Sequence, residues 1–168
     1  MANTKTGTNL LFLRDEDLRQ GLELLFFGYK DFSEEADLSL KNYGFGRAHH
    51  RVIYFVGRHP LIKINELLSI LSITKQSLSR VINKLIQENY INISVNPQDN
   101  RERMLELTDK GQKLEEILSS KQLARISVAY QMAGAEAVEG FRKVMVEIIK
   151  PSDREYISEE PPGKQHNG

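Results

Sequence analysis

A chain of 168 residues is long enough to enclose one hydrophobic core or to share one with a partner, and short for two ordinary domains. It holds no cysteine, which excludes disulfides, thiolate metal sites, thiol nucleophiles and cysteine redox sensing. No run approaches the roughly 20 apolar residues of a membrane span, and residues 1–13 lack a signal-peptide pattern, so a soluble cytoplasmic protein without a membrane partner is expected. The 23 basic and 23 acidic side chains cancel, yet residues 1–40 sum to −4, residues 41–103 to +6 and residues 104–168 to −2. A basic middle between acidic flanks suits a chain in which one segment faces a polyanion.

Residues 1–13 are expected to be flexible. Leu18, Leu22, Leu25, Tyr29, Phe32 and Ala36, spaced alternately by four and three, predict a helix from about Glu16 to Leu40 with one apolar stripe. Leu24, Phe26 and Phe27 add apolar surface outside that stripe, which implies a partner helix. The two glycines of Asn42 to Gly46 break the pattern. A second helix, from about Arg47 to Arg58, carries Val52, Ile53, Tyr54, Phe55 and Val56 and is expected to be buried on most sides, ending before Pro60. A third helix fits Asn65 to Leu71. The fourth takes Thr74 as N-cap, repeats Leu78, Val81/Ile82 and Leu85/Ile86, and stops at Asn89, which tolerates the left-handed cap conformation. Two such helices joined by a tight turn make a helix-turn-helix candidate.

The period then changes from helical to alternating. Ile91, Ile93 and Val95 alternate, Asn96 to Asn100 is turn chemistry, and Arg103, Leu105 and Leu107 alternate again, predicting a β-hairpin with an arginine-bearing tip. Thr108 caps a helix that continues through Leu114, Ile117/Leu118, Ala124 and Val128 to about Tyr130. Gly134 interrupts, a last helix carries Val138, Phe141, Met145 and Ile148, and residues 151–168 are expected to be disordered. The fold class is therefore mainly α with a small β-hairpin wing. One domain over residues 14–150 combines a winged helix-turn-helix at about 61–108 with long dimerisation helices at about 16–40 and 109–150.

In a winged helix-turn-helix the second helix enters the DNA major groove and the hairpin reaches the backbone or minor groove. Lys75, Gln76, Ser77, Ser79 and Arg80, with Lys84 further along, are the side chains offered to the major groove: glutamine pairs with adenine, arginine with guanine, and serine with a base or a phosphate. Arg101 and Arg103 sit at the wing tip, where an arginine gains from the negative potential of a narrowed minor groove. Asp99 is expected to pair with Arg101 and hold the loop. A protein-interaction module and a nonspecific architectural DNA binder are the competing readings. Phosphate-binding glycine loops, HExxH and G-x-S-x-G are all missing from the sequence, so no enzymatic role is expected. No cofactor or metal is called for, since the adjacent His49 and His50 point about 100° apart on a helix and are poorly placed to share one ion.

The run Asn96-Pro97-x-Asp99-x-Arg101, followed by Leu105-x-Leu107-Thr108-x-x-Gly111, resembles the wing and following helix start of MarR-type transcriptional regulators, and Thr74 to Arg80 resembles their recognition helix. Gly44 to Val52 together with Ile73 to Arg80 is similar to an alphaproteobacterial branch of that family, and the resemblance covers about residues 13 to 150. It implies a homodimer whose first, fifth and sixth helices interlock above a pseudo-palindromic double-stranded DNA operator. Gln76, Ser77, Ser79 and Arg80 would then enter the major groove and Arg101 the minor groove. The resemblance also implies that a small effector, of unknown identity, can lodge near the second helix, where His49 or His50 would line a pocket or sense pH. A hydrogen-bonded structural role is the alternative for both histidines, and dimer core rather than a ligand box is the reading for Phe26, Phe27, Tyr29 and Phe32. Three positions depart from the family pattern: Asn89 stands where glycine is usual, Leu61 replaces a common glycine after proline, and Lys63 occupies a position often held by a capping Ser or Thr. The last leaves the start of the third helix open.

Overall fold

The computed structural model describes residues 14–157, so the flexible start expected over residues 1–13 and the disordered end expected over residues 158–168 lie outside the described residues. Within them the order is α1 (Asp15–Lys41), α2 (Arg47–Arg58), β1 (Ile62–Lys63), α3 (Ile64–Leu71), α4 (Lys75–Gln87), β2 (Ile91–Asn96), β3 (Asp99–Leu107), α5 (Asp109–Ala133), α6 (Ala135–Ile148) and α7 (Pro151–Arg154). Elements α2 to β3 form a winged lobe. Helices α1, α5 and α6 form a stem beside it.

The apolar stripe of α1 is only half used within the chain. Its C-terminal half buries Ser33, Ala36 and Leu40, packing on α5, where the Gln122 amide donates to the Phe32 carbonyl at 3.3 Å. Its N-terminal half leaves Leu18, Leu22, Leu25 and Tyr29 exposed. Helix α5 repeats the division, with Gly111, Leu114, Leu118 and Ser119 buried at its start and Leu123, Val128 and Met132 exposed further on. Helix α6 buries no residue. The stem therefore carries apolar faces that one chain does not cover.

The lobe is closed. Val52, Ile53 and Val56 of α2, Leu67 of α3, Leu78 and Leu85 of α4, Ile91 of β2 and Leu105 of β3 are at most 2% exposed and form one cluster. Burial of such an aliphatic side chain contributes about 1.5–3 kcal/mol. The sheet has three strands in the order β1-β3-β2, all antiparallel. The sequence predicts only the hairpin, and β1 is an addition: two residues carry no alternation, and the strand exists because Ile62 and Lys63 lie opposite Leu105 and Met104. The alternation of β2 also overstates its burial. Ile91 is covered, but Ile93 and Val95 are half-exposed on the edge strand, because β3, between the other two, takes the core position through Leu105.

Two joints set the geometry of the lobe. After Pro60, Leu61 stands at φ 65°, a left-handed conformation that glycine adopts freely and that costs another residue roughly 1–2 kcal/mol. Helix α3 then starts at Ile64 with Lys63 as N-cap, and the cap is made by the Glu66 carboxylate, which accepts the Lys63 backbone N–H at 3.0 Å. This resolves the start that the lysine left open. At the second joint Asn89 adopts φ 61° after α4. The Thr108 hydroxyl donates to the Asn89 carbonyl at 2.7 Å and accepts the Gly111 N–H at 3.0 Å. A Cβ on Gly111 would lie 2.1 Å from the Tyr90 carbonyl oxygen, so only glycine allows α5 to start this close to the lobe.

The disorder expected from residue 151 onward does not describe its first residues. Pro151 opens the single turn α7, and the Tyr156 ring meets His59 edge-on at 6.1 Å between centroids. One turn is too short to show a helical period, and the contact is between residues far apart in sequence.

Candidate nucleic-acid interface and adjoining cavity

The start of α4 separates its side chains cleanly. Thr74 Oγ1 accepts the Ser77 N–H at 3.1 Å, and its hydroxyl donates to Ser77 Oγ at 2.8 Å. From that fixed end, Leu78, Val81, Ile82 and Leu85 turn into the core, leaving Lys75, Gln76, Ser77, Ser79 and Arg80 exposed. The first turn carries no acidic side chain, so the positive end of the helix dipole is uncompensated and adds to Lys75 and Arg80 in favouring an anion.

Lys84, expected with this set, is directed elsewhere. Its ammonium donates to the Gly44 carbonyl at 2.5 Å and lies 5.0 Å from the centre of the Phe45 ring. The long side chain folds back because a carbonyl and an aromatic face from the α1–α2 turn are both within its reach. Lys84 thus ties α4 to that turn instead of extending the exposed face.

At the wing tip the expected Asp99–Arg101 contact takes a particular form. Asp99 Oδ1 accepts the Arg101 backbone N–H at 3.0 Å, whereas the guanidinium Nε stands 3.9 Å away on a side chain that is 96% exposed. The carboxylate shapes the turn and leaves the charge projecting. Arg103 differs, since its Nη1 donates to the Asn100 carbonyl at 2.7 Å, three residues back on the same strand.

Sequence reasoning missed one group here. Lys63 Nζ lies 2.9 Å from Glu102 Oε2 and 3.1 Å from Oε1, while Asn96 Nδ2 donates to Glu102 Oε2 at 2.5 Å. The Lys63 ammonium, then the Asn96 amide, hold the Glu102 carboxyl below the usual carboxylate range, and the carboxylate raises the Lys63 ammonium in return. The signal in the sequence was the lysine at a capping position.

Between α1, α2 and α5 lies a partly open cavity of about 280 Å³, lined by Tyr29, Phe32, His50, Tyr54, Gln122 and Ile126 among others. His50 Nε2 is buried there with no hydrogen-bond partner. Burial pushes its pKa below the ordinary value, the nearby Asp37 opposes the shift, and Arg51 adds to it. The rim is ordered by polar contacts: Arg47 pairs with Asp37 at 2.6 Å, and the Arg51 guanidinium donates to the Tyr29 hydroxyl. His49 does not join this cavity. Its Nδ1 accepts the Gly46 N–H at 3.1 Å and its ring stacks on Phe45 at 4.9 Å, so it caps the start of α2. Burial, then the positive charge of Lys84, lower its pKa. The two histidines therefore separate into a cap and a cavity wall. Among the aromatic residues of α1, Tyr29 and Phe32 line the cavity, while Phe26 and Phe27 pack edge to face at 5.2 Å and remain exposed.

Among the described residues no helix is long and apolar enough to cross a membrane. The family model described as MarR family matches residues 43–102. The HTH-type transcriptional regulator PetP of Rhodobacter capsulatus is 45% identical over 150 residues, covering 89% of this chain and 90% of that protein. Among solved structures, Streptococcus pneumoniae FabT in complex with DNA superposes with a TM-score of 0.68 at 18% identity, over 79% of this chain and 94% of that one. A MarR protein from Peptoclostridium difficile superposes with a TM-score of 0.65 at 21% identity, over 89% and 97% of the two chains.

Proposed function

The chain belongs to the MarR family, and from that membership we propose that it is a cytoplasmic, homodimeric transcriptional regulator, without an enzymatic role, that reads double-stranded DNA with the first turns of α4 and the tip of the wing. Lys75, Gln76, Ser77, Ser79 and Arg80 enter the major groove, and Arg101 reaches the minor groove of a pseudo-palindromic operator. The observation that carries this docking is the joint exposure of the α4 face and of the Arg101 guanidinium: the α4 cap engages only Ser77 among the exposed side chains, and the wing turn is held through the Arg101 backbone N–H. Helices α1, α5 and α6 meet their counterparts in the second copy, which covers the apolar faces left open in one chain. Arg103, bonded back to the Asn100 carbonyl on its own strand, steadies the tip.

Selection of bound fragments from the source genome, at about 0.15 M salt, tests the reading. Recovery of a two-fold-symmetric motif that Arg80→Ala and Arg101→Ala both weaken supports it, with Arg80→Ala costing about 1–3 kcal/mol and relaxing one base position. Uniform recovery favours an architectural binder. No recovery at all favours an interaction module.

A second reading concerns the cavity. The unpartnered His50 Nε2 inside it supports a site for a small effector, since a buried polar atom without a partner is costly unless a ligand or water satisfies it. A metabolite panel screened by thermal shift checks this: stabilisation that His50→Phe abolishes supports the cavity, and stabilisation that persists in His50→Phe puts the ligand elsewhere.

A further inference from the structure

The wing and the start of the helix-turn-helix are joined by one side-chain network centred on Glu102. Lys63 lies opposite Met104 on β3 and reaches diagonally to Glu102, two residues nearer the wing tip on the same face of the strand. Its ammonium meets both carboxylate oxygens of Glu102. Asn96, at the end of β2, donates to the same carboxylate and accepts the Gln98 N–H at 3.0 Å. Glu102 thereby gathers all three strands at the root of the tip. Lys63 is also the N-cap residue of α3, the helix that leads into α4. A single contact therefore spans from the start of the helix-turn-helix to the residue beside Arg101.

The contact has an electrostatic consequence as well. Glu102 is flanked by Arg101 and Arg103 in sequence, so an unpaired carboxylate there would oppose the approach of phosphates. Paired with Lys63 it is neutralised, with both charges shifted toward the ionised form.

We propose that Lys63 and Glu102 are positioning residues for DNA recognition, which fix the wing tip relative to α4 and so place Arg101 at the correct distance from the major-groove face. The proposal rests on the docking described under Proposed function. Two groove contacts made by one rigid lobe are productive only when their separation matches the duplex. The network adds to the backbone pairing of β1 with β3 a side-chain contact that reaches Glu102, next to Arg101, and Glu102 is held there by Lys63 and Asn96 together rather than by a single surface pair.

The test measures binding of the full-length dimer to a duplex of about 30 base pairs carrying the motif recovered with the unaltered protein, long enough for two half-sites about one helical turn apart. Lys63→Met and Glu102→Ala remove charges of opposite sign. If only net charge matters, the first weakens binding and the second strengthens it. Positioning predicts that both weaken it, by roughly three- to ten-fold. The swapped pair Lys63→Glu with Glu102→Lys recovers most of the loss. In an Arg101→Ala background neither change has a further effect, and the melting temperatures of all variants stay close to the parent. Tighter binding by Glu102→Ala overturns the proposal, as does a Lys63→Met penalty that persists undiminished beside Arg101→Ala, and either result leaves DNA reading itself intact. Unchanged binding by Arg101→Ala alone instead overturns the docking on which the proposal stands.

Discussion

Leu67, Leu85 and Leu105 of the winged lobe are completely buried within one chain, whereas Leu22, Phe27 and Met132 of the stem stand 69%, 53% and 85% exposed. Both regions are written in equally apolar helices, so composition does not separate them. What differs is where the covering surface comes from. In the lobe, α2, α3, α4 and the sheet enclose a common centre. In the stem, α1 and α5 cover each other only near the lobe, and the rest of their apolar length awaits a second copy. With the dimer proposed above, lobe stability is a property of the chain, and stem stability a property of its concentration.

The contrast can be broken most directly at the joint between the two regions. Gly111→Ala forces a methyl group against the Tyr90 carbonyl, and since neither backbone can yield cheaply the expected loss exceeds about 3 kcal/mol, read by urea denaturation. Leu105→Ala empties the centre of the lobe and should cost about 3 kcal/mol in the same assay. A much smaller loss would mean that the lobe core is less closed than its burial indicates. Thr74→Ala removes the α4 cap and should cost about 1 kcal/mol, visible as a lower denaturation midpoint.

The stem should behave in the opposite way. Leu22→Lys with Leu25→Lys is expected to halve the mass measured by light scattering while changing the unfolding of the lobe by less than about 0.5 kcal/mol in dilute solution. Loss of the lobe together with the dimer would show that the two regions are not separable. The smallest effect is a pH dependence. Burial lowers the pKa of both His49 and His50 below 6.5, so in acid the unfolded chain takes up protons before the folded one. Stability is therefore full above about pH 6.5, falls as the pH drops below that value, and levels off below the folded-state pKa. Denaturation midpoints at about pH 7.5 and 5.5 should differ less in His50→Phe than in the parent.

The features legible in the sequence are those with a local cause. Helical spacing marked α1, α2 and α4, and the change of period marked the hairpin. Thr74 and Thr108 were recognisable as caps because a threonine hydroxyl before an apolar repeat has few other uses. Strand β1 and the direction of Lys84 were not legible, because each depends on a neighbour distant in sequence, Leu105 and Gly44 respectively, and the single turn α7 is too short to show a helical period. The side chains offered to DNA were recognisable as a set, but the sequence did not reveal that Lys84 folds away or that Glu102 is anchored by Lys63.

By itself, then, the sequence determined which longer segments are helices, where α4 and α5 are capped, which positions are apolar and which polar residues lie at the start of α4 and at the wing tip, since periodicity, capping and turn chemistry act over a few residues. Only the tertiary structure decided that β1 completes the sheet, that His49 caps a helix while His50 faces a cavity, and that Lys63 joins the wing. Those outcomes depend on which surfaces meet once the chain has packed, and neighbouring side chains with the same chemistry are then sent in different directions.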